Sequence, residues 1–223
     1  MQQFYTYNGH PLLAFKMLFV VGDSNSVYTS EALSVAFMDN KSMCRVGWTT
    51  EDVLRAVRRH KKILADASAC FVFVGLNDRL TGEMIADNIL QIIALLRASA
   101  PHGIPIIVAP PFCVAEATPV SLCADRKFAA KRVVEMLAVQ SGVYLVAPHV
   151  RADMTVPAEL QTVKRGSRNV DPLHLLPDAY EEIARAVEML LVPRRSPSPR
   201  RSRKSRAPRM SPSPRRSRAR RSK

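Results

Sequence analysis

Three short stretches set a serine, a side-chain amide and a carboxylate–imidazole pair beside expected structural junctions. The first, Val21-Gly22-Asp23-Ser24-Asn25-Ser26, follows an apolar run and leads into a segment with helical spacing. A serine at such a junction has its hydroxyl at the top of a strand, where the first N–H groups of the next helix have no intrahelical partner and face any developing negative charge. Taken alone, Gly-Asp-Ser is also what an ordinary helix-capping turn uses. The second stretch, Gly75-Leu76-Asn77-Asp78, again follows an apolar run and offers a side-chain amide as a donor. The third, Asp171-Pro172-Leu173-His174, puts a carboxylate three residues before an imidazole on one expected loop. That spacing lets the carboxylate hold the ring in the tautomer that takes a proton from a serine.

The other histidines offer less. His60 sits in a basic helix face and reads as solvated, His102 lies in a Pro-Gly turn region, and His10 is near a chain end. His149 follows an expected strand and reads as a packing or solvent-facing residue, and Asp153 has no identifiable partner. No tight His, Cys or carboxylate cluster has metal-ligand spacing, so the expected chemistry uses neither metal nor cofactor.

The elements that must hold these groups are legible as alternation. Apolar runs rich in β-branched and aromatic residues recur at 16–22, 71–75, 104–109 and 143–146, with a weaker candidate at 43–46. Between them lie helical faces: Val53, Val57 and Leu64; Ile85, Ile89, Ile92, Ile93 and Leu96; Ala129, Val133, Val134 and Leu137; Tyr180, Ile183, Ala184, Val187 and Leu191. The first of these carries Arg55, Arg58, Arg59, Lys61 and Lys62 on its outer side. Such alternation predicts βαβ crossovers, helices on both faces of a five-stranded parallel sheet, and the strand order 2-1-3-4-5. Ligands then bind beyond the carboxyl ends of the strands, where all three stretches fall.

Together these stretches resemble the SGNH hydrolase superfamily, the GDSL-type esterases and lipases. Its first block matches Gly22-Asp23-Ser24, its second is matched by Gly47 in Arg45-Val46-Gly47-Trp48, its third by Gly75 to Asp78 and its last by Asp171 to His174, in the family's order. The resemblance covers roughly residues 16–191 and implies a three-layer, flavodoxin-like α/β fold. It implies Ser24 as nucleophile, His174 as general base and Asp171 as the residue orienting it. The oxyanion hole it implies is the backbone N–H groups of Ser24 and Gly47 with the Asn77 amide. Asp23 is expected to brace the loop. Pro172 and Leu175 depart from residues that are often Gly and Pro in the family.

Charge divides the 223-residue chain. Of its 33 Lys and Arg, 14 lie in residues 193–223, which hold no Asp or Glu; the remaining 19 balance the 19 acidic residues, so the net +14 belongs to the tail. The octet Ser-Pro-Ser-Pro-Arg-Arg-Ser-Arg occurs twice there, beginning at Ser196 and at Ser211. With so little to bury, residues 193–223 are expected to be disordered, leaving 1–15 as a lead-in and 16–192 as the domain. Arg194, Arg195, Arg200, Arg201, Arg203, Arg206, Arg215, Arg216, Arg218, Arg220 and Arg221 suit RNA or DNA phosphates without sequence readout. Ser196, Ser198, Ser211 and Ser213 precede prolines and are candidates for proline-directed or Arg/Ser kinases. Nuclear import and solubility are the other uses of such a tail.

Cys44, Cys70, Cys113 and Cys123 show no C-x-x-C spacing and read as buried free thiols, which with no recognisable signal peptide or membrane span points to nucleus or cytoplasm rather than secretion. Three functional readings follow: a hydrolase of small acyl esters tethered to nucleic acid by its tail, a viral or retroelement structural protein with an idle esterase fold, and an acyltransferase on the same fold.

Overall fold

The computed structural model describes residues 6–7, 10–11, 17–33, 40–114, 118–163 and 170–191. The tail, with its arginines and Ser-Pro sites, lies outside the described residues.

Strand β1 (Leu18–Gly22) is buried along its whole length because it has a strand on each side and helices over both faces. It pairs in parallel with β2 (Asn40–Cys44) on one side and β3 (Ala69–Phe73) on the other, followed by β4 (Ile106–Ala109) and β5 (Val143–Leu145). The order β2-β1-β3-β4-β5 is the expected 2-1-3-4-5. Gly22 is level with both Cys44 and Phe73, and Phe73 with Ala109, so the loops after these strands leave from one edge.

Side chains alternate across the sheet with the strand's two-residue period. Phe19, Val21, Cys70 and Val72 face the layer of α2 (Thr50–Arg59), α3 (Gly82–Ser99) and α4 (Val120–Ala138). Leu18, Val20, Phe71 and Phe73 face the layer of α1 (Ser24–Leu33) and α5 (Pro177–Leu191). The helical stripes expected from the sequence supply both cores: Ile85, Ile89, Ile92, Ile93 and Leu96 on one side, Tyr180, Ile183, Ala184, Val187 and Leu191 on the other. Each such side chain stabilises the fold by about 1.5–3 kcal/mol when fully buried. This is a three-layer α/β domain, and none of its described helices is long and apolar enough to cross a membrane.

Four expectations need correction. The second strand is not at 43–46 but begins at Asn40, because parallel pairing with β1 sets its register although Asn40, Lys41 and Ser42 are poor strand formers. Leu64 is buried from a 3-10 turn (Lys61–Asp66) after α2, not from α2 itself. Asp171 to His174 are not in a loop: they belong to β7 (Val170–Leu175), which pairs antiparallel with β6 (Gln161–Val163). Cys113 and Cys123 are not free thiols but a disulfide, which joins the segment after β4 to the first turn of α4. Such a bond is typical of oxidising surroundings, so the cysteines no longer argue for a reducing compartment. Cys44 and Cys70 are free, and burial pushes their thiols up to about 11 and about 12.

Candidate active site

Ser24 is the first residue of α1, directly beyond β1. The turn before it closes on the end of β3: Asp23 N–H donates to the Phe73 carbonyl at 3.2 Å, and Ser26 Oγ donates to the same carbonyl at 2.7 Å. Only glycine fits at position 22, since a Cβ there would collide with the Phe73 carbonyl and with Ser26 Oγ. The sequence thus places the serine by removing a side chain two residues earlier.

His174 arrives from β7, and its Nε2 lies 3.0 Å from Ser24 Oγ, across 150 residues of chain. The Tyr28 ring meets the imidazole edge-on, with centroids 5.6 Å apart. One bond away, Leu175 N–H donates to Tyr180 Oη at 3.0 Å, and Tyr180 Oη donates to Asn25 Oδ1 at 2.6 Å. Asn25 in turn donates to Asp23 Oδ1 from its backbone N–H at 2.9 Å and from Nδ2 at 3.4 Å. Strand β7, helix α5 and the start of α1 are therefore locked together one residue from His174 and one residue from Ser24. The Asp171 side chain lies outside the described residues.

Burial pushes the Asp23 carboxyl up to about 6, against the hydrogen bonds from Asn25, and the nearby Asp78 charge adds to the rise. Asp78 is also raised by burial; it accepts from Thr50 N–H at 3.0 Å and from Thr50 Oγ1 at 2.6 Å. Asn88 Nδ2 reaches Thr50 Oγ1 at 3.0 Å, which ties α3 into the same cluster. The guanidinium of Arg126, buried on α4, donates to the Leu76 carbonyl and interacts electrostatically with both carboxyls. Desolvation lowers its own pKa.

Asn77 Nδ2 donates to the Trp48 carbonyl at 3.0 Å, which fixes the amide while leaving its second N–H available to a ligand. Gly47, one residue before Trp48, has φ +80°, a left-handed turn that favours glycine. Ser24 keeps only 1% of its surface exposed.

Geometry thus brings Ser24 and His174 together and sets Asn77 against the Gly47-Trp48 turn. A GDSL-like lipase from Bacteroides thetaiotaomicron superposes with a TM-score of 0.61 at 13% identity, over 79% of this chain and 87% of that one. The domain has the fold of the GDSL-type hydrolases. The C-terminal catalytic domain of peptidoglycan O-acetyltransferase A from Streptococcus pneumoniae matches at 0.55 and 15% identity, over 80% and 93% of the two chains. A carbohydrate acetylesterase from Sinorhizobium meliloti matches at 0.53 and 11%, over 79% and 98%. No protein-family model and no curated protein matches the sequence.

Two of the residues first read as uninvolved have partners. His149 Nε2 lies 3.3 Å from Glu182, and Asp153 accepts from Lys127 at 3.1 Å and from Thr155 Oγ1 at 2.6 Å. His60 and His102 are exposed, as expected, and the side chain of His10 lies outside the described residues. Arg126 went unnoticed in the sequence because Lys127, Lys131 and Arg132 surround it and the whole run reads as a solvated helix face. Tyr180 was legible as a helix-face residue, but nothing local signals that its hydroxyl reaches Asn25.

Proposed function

We propose that this domain is a serine-dependent hydrolase of small acyl esters. The reading rests on one observation above all: His174 Nε2 within 3.0 Å of the hydroxyl of a serine that opens a helix. As Ser24 Oγ bonds to the carbonyl carbon, its proton passes to His174 Nε2. The oxyanion is held by the backbone N–H groups of Ser24 and Gly47 and by the Asn77 amide. Collapse breaks the ester C–O bond, and the departing alkoxide takes the proton from His174. Water then repeats the sequence on the acyl-serine, releasing the carboxylic acid and restoring Ser24. Asp171 orients His174 in this scheme.

The near-complete burial of Ser24 favours short acyl groups. Residues 193–223, with 14 basic and no acidic residues, serve as a tether to RNA or DNA. An acyl-serine serves equally well for transfer to an acceptor other than water, and one of the similar structures is an O-acetyltransferase.

The test is labelling with a fluorophosphonate, together with turnover of p-nitrophenyl acetate with and without added sugar acceptors. Labelling of the wild type and none of Ser24→Ala supports the assignment; equal labelling of both rejects it. Faster acyl loss with an acceptor than with water selects transfer over hydrolysis.

A further inference from the structure

Along the outer edge of the sheet, between β2 and α2, runs an open groove of about 700 Å³. Lys41 lines it from β2 and Arg45 from just beyond that strand's end, and Arg55 and Arg59, one helical turn apart, line it from α2. Asp52 is the one carboxylate in the lining. It is occupied at the start of α2, where it accepts from Thr49 N–H at 3.1 Å and Thr49 Oγ1 at 2.9 Å and lies 3.7 Å from Arg55. The groove is therefore strongly positive although residues 1–192 are formally neutral. Like charges gathered on one face repel each other, so their concentration here is a feature of the surface and not of the fold.

Trp48, half-buried and packed in part against the core, also lines the groove; its carbonyl accepts from Asn77, and it is the chain's only tryptophan. From Lys41 to Arg45 the strand spans about 13 Å at about 3.3 Å per residue. That length matches about four nucleotides of a stacked strand, at 3.4 Å each. Three guanidinium forks suit phosphate oxygens, and an indole in the same lining suits a base. An acidic peptide would answer the charge but gives the indole no stacking partner.

We propose that this groove binds single-stranded nucleic acid: phosphodiesters on Lys41, Arg45, Arg55 and Arg59, and a base against Trp48. The site is built from residues of the folded domain and does not depend on the esterase reading.

Because Trp48 is the only tryptophan, its emission in the full-length protein reports on the groove even while the tail also holds the strand. Titration with an eight-nucleotide oligothymidine in 50 mM salt is expected to quench Trp48 saturably. In Arg55→Gln/Arg59→Gln the midpoint should rise on the order of tenfold and the salt slope should flatten by about 2, one for each lost phosphate contact. Unchanged thermal unfolding and esterase turnover would show that the double variant is folded, and Lys41→Gln, on the opposite wall, provides a second midpoint shift. Unquenched Trp48 while anisotropy reports bound oligonucleotide would overturn the proposal, as would wild-type midpoints in both variants. Equal quenching by an oligoglutamate of the same length would reassign the groove to acidic peptides.

Discussion

The carboxyl edge of the sheet and the β2–α2 flank spend polar side chains in opposite ways. At the edge, Asp23, Ser24, Asn25, Ser26, Thr50 and Asp78 are all buried, and a lattice of hydrogen bonds runs from Phe73 to Tyr180 and from Trp48 to Asn77. On the flank, Lys41, Arg45, Arg55 and Arg59 are exposed, and among the described residues only Arg55 has a carboxylate at hand. Buried polar groups are costly without partners, so the edge admits one arrangement of its side chains. Exposed cations keep their water and many rotamers, so the flank yields its shape to whatever neutralises it. In the two roles proposed above, rigidity belongs where atoms react, and residual charge where a partner docks.

Substitutions should separate the two regions by size of effect. Ser24→Ala and His174→Ala are each expected to lower kcat on p-nitrophenyl acetate by about 10⁴-fold or more while leaving Trp48 quenching by oligonucleotide unaltered. Activity at the wild-type level in Ser24→Ala would remove the edge from the comparison altogether. Asn77→Ala should cost roughly 100- to 1,000-fold in kcat with little change in KM, since an oxyanion donor acts in the transition state; a change confined to KM would make it a substrate-binding residue instead.

Asp23 gives the edge a pH signature that the flank lacks. Its carboxyl holds a proton up to about pH 6 in the folded chain, against an ordinary 3.8, so the folded state binds more protons between those values. The resulting stability is fully present below about pH 4 and is lost as pH rises through 6. Urea unfolding from pH 4 to 7.5 should show the wild type losing about 2 kcal/mol relative to Asp23→Asn. Parallel curves for the two proteins would mean that Asp23 titrates normally.

Tyr180→Phe removes the acceptor of Leu175 N–H and the donor to Asn25, both buried, and should cost about 1–3 kcal/mol in unfolding free energy. An unchanged urea midpoint would show that water replaces the hydroxyl. At the small end, Arg55→Gln/Arg59→Gln should stay within about 0.5 kcal/mol of wild type, because an exposed ion pair such as Arg55–Asp52 contributes little.

What the sequence made legible follows the range of the interactions. Apolar runs such as 71–75 and helical stripes such as Ile85 to Leu96 depend on periodicity within one element, and the sheet order followed from their alternation. Ser24, Asn77 and His174 were legible because each sits in a short stretch of distinctive composition. The Asn25–Tyr180 hydrogen bond, the burial of Arg126 against Leu76 and the Cys113–Cys123 pairing were not, because each joins segments whose neighbourhood exists only after folding. The start of β2 was missed for a related reason: its partner β1 dictates the strand, and its own residues would not choose one.

The two outer strands of the sheet also bear on whether the chains remain separate. A sheet's edge exposes unpaired backbone N–H and C=O groups that can recruit a second sheet, and short or charged edge strands resist this. Strand β5 is three residues long, and β2 carries Lys41 and Ser42 on its open surface, with Arg45 just beyond its end. The cations that line the groove therefore also guard against aggregation. A variant stripped of all of them would trade a binding defect for insolubility, so charge on this edge is best reduced one or two residues at a time.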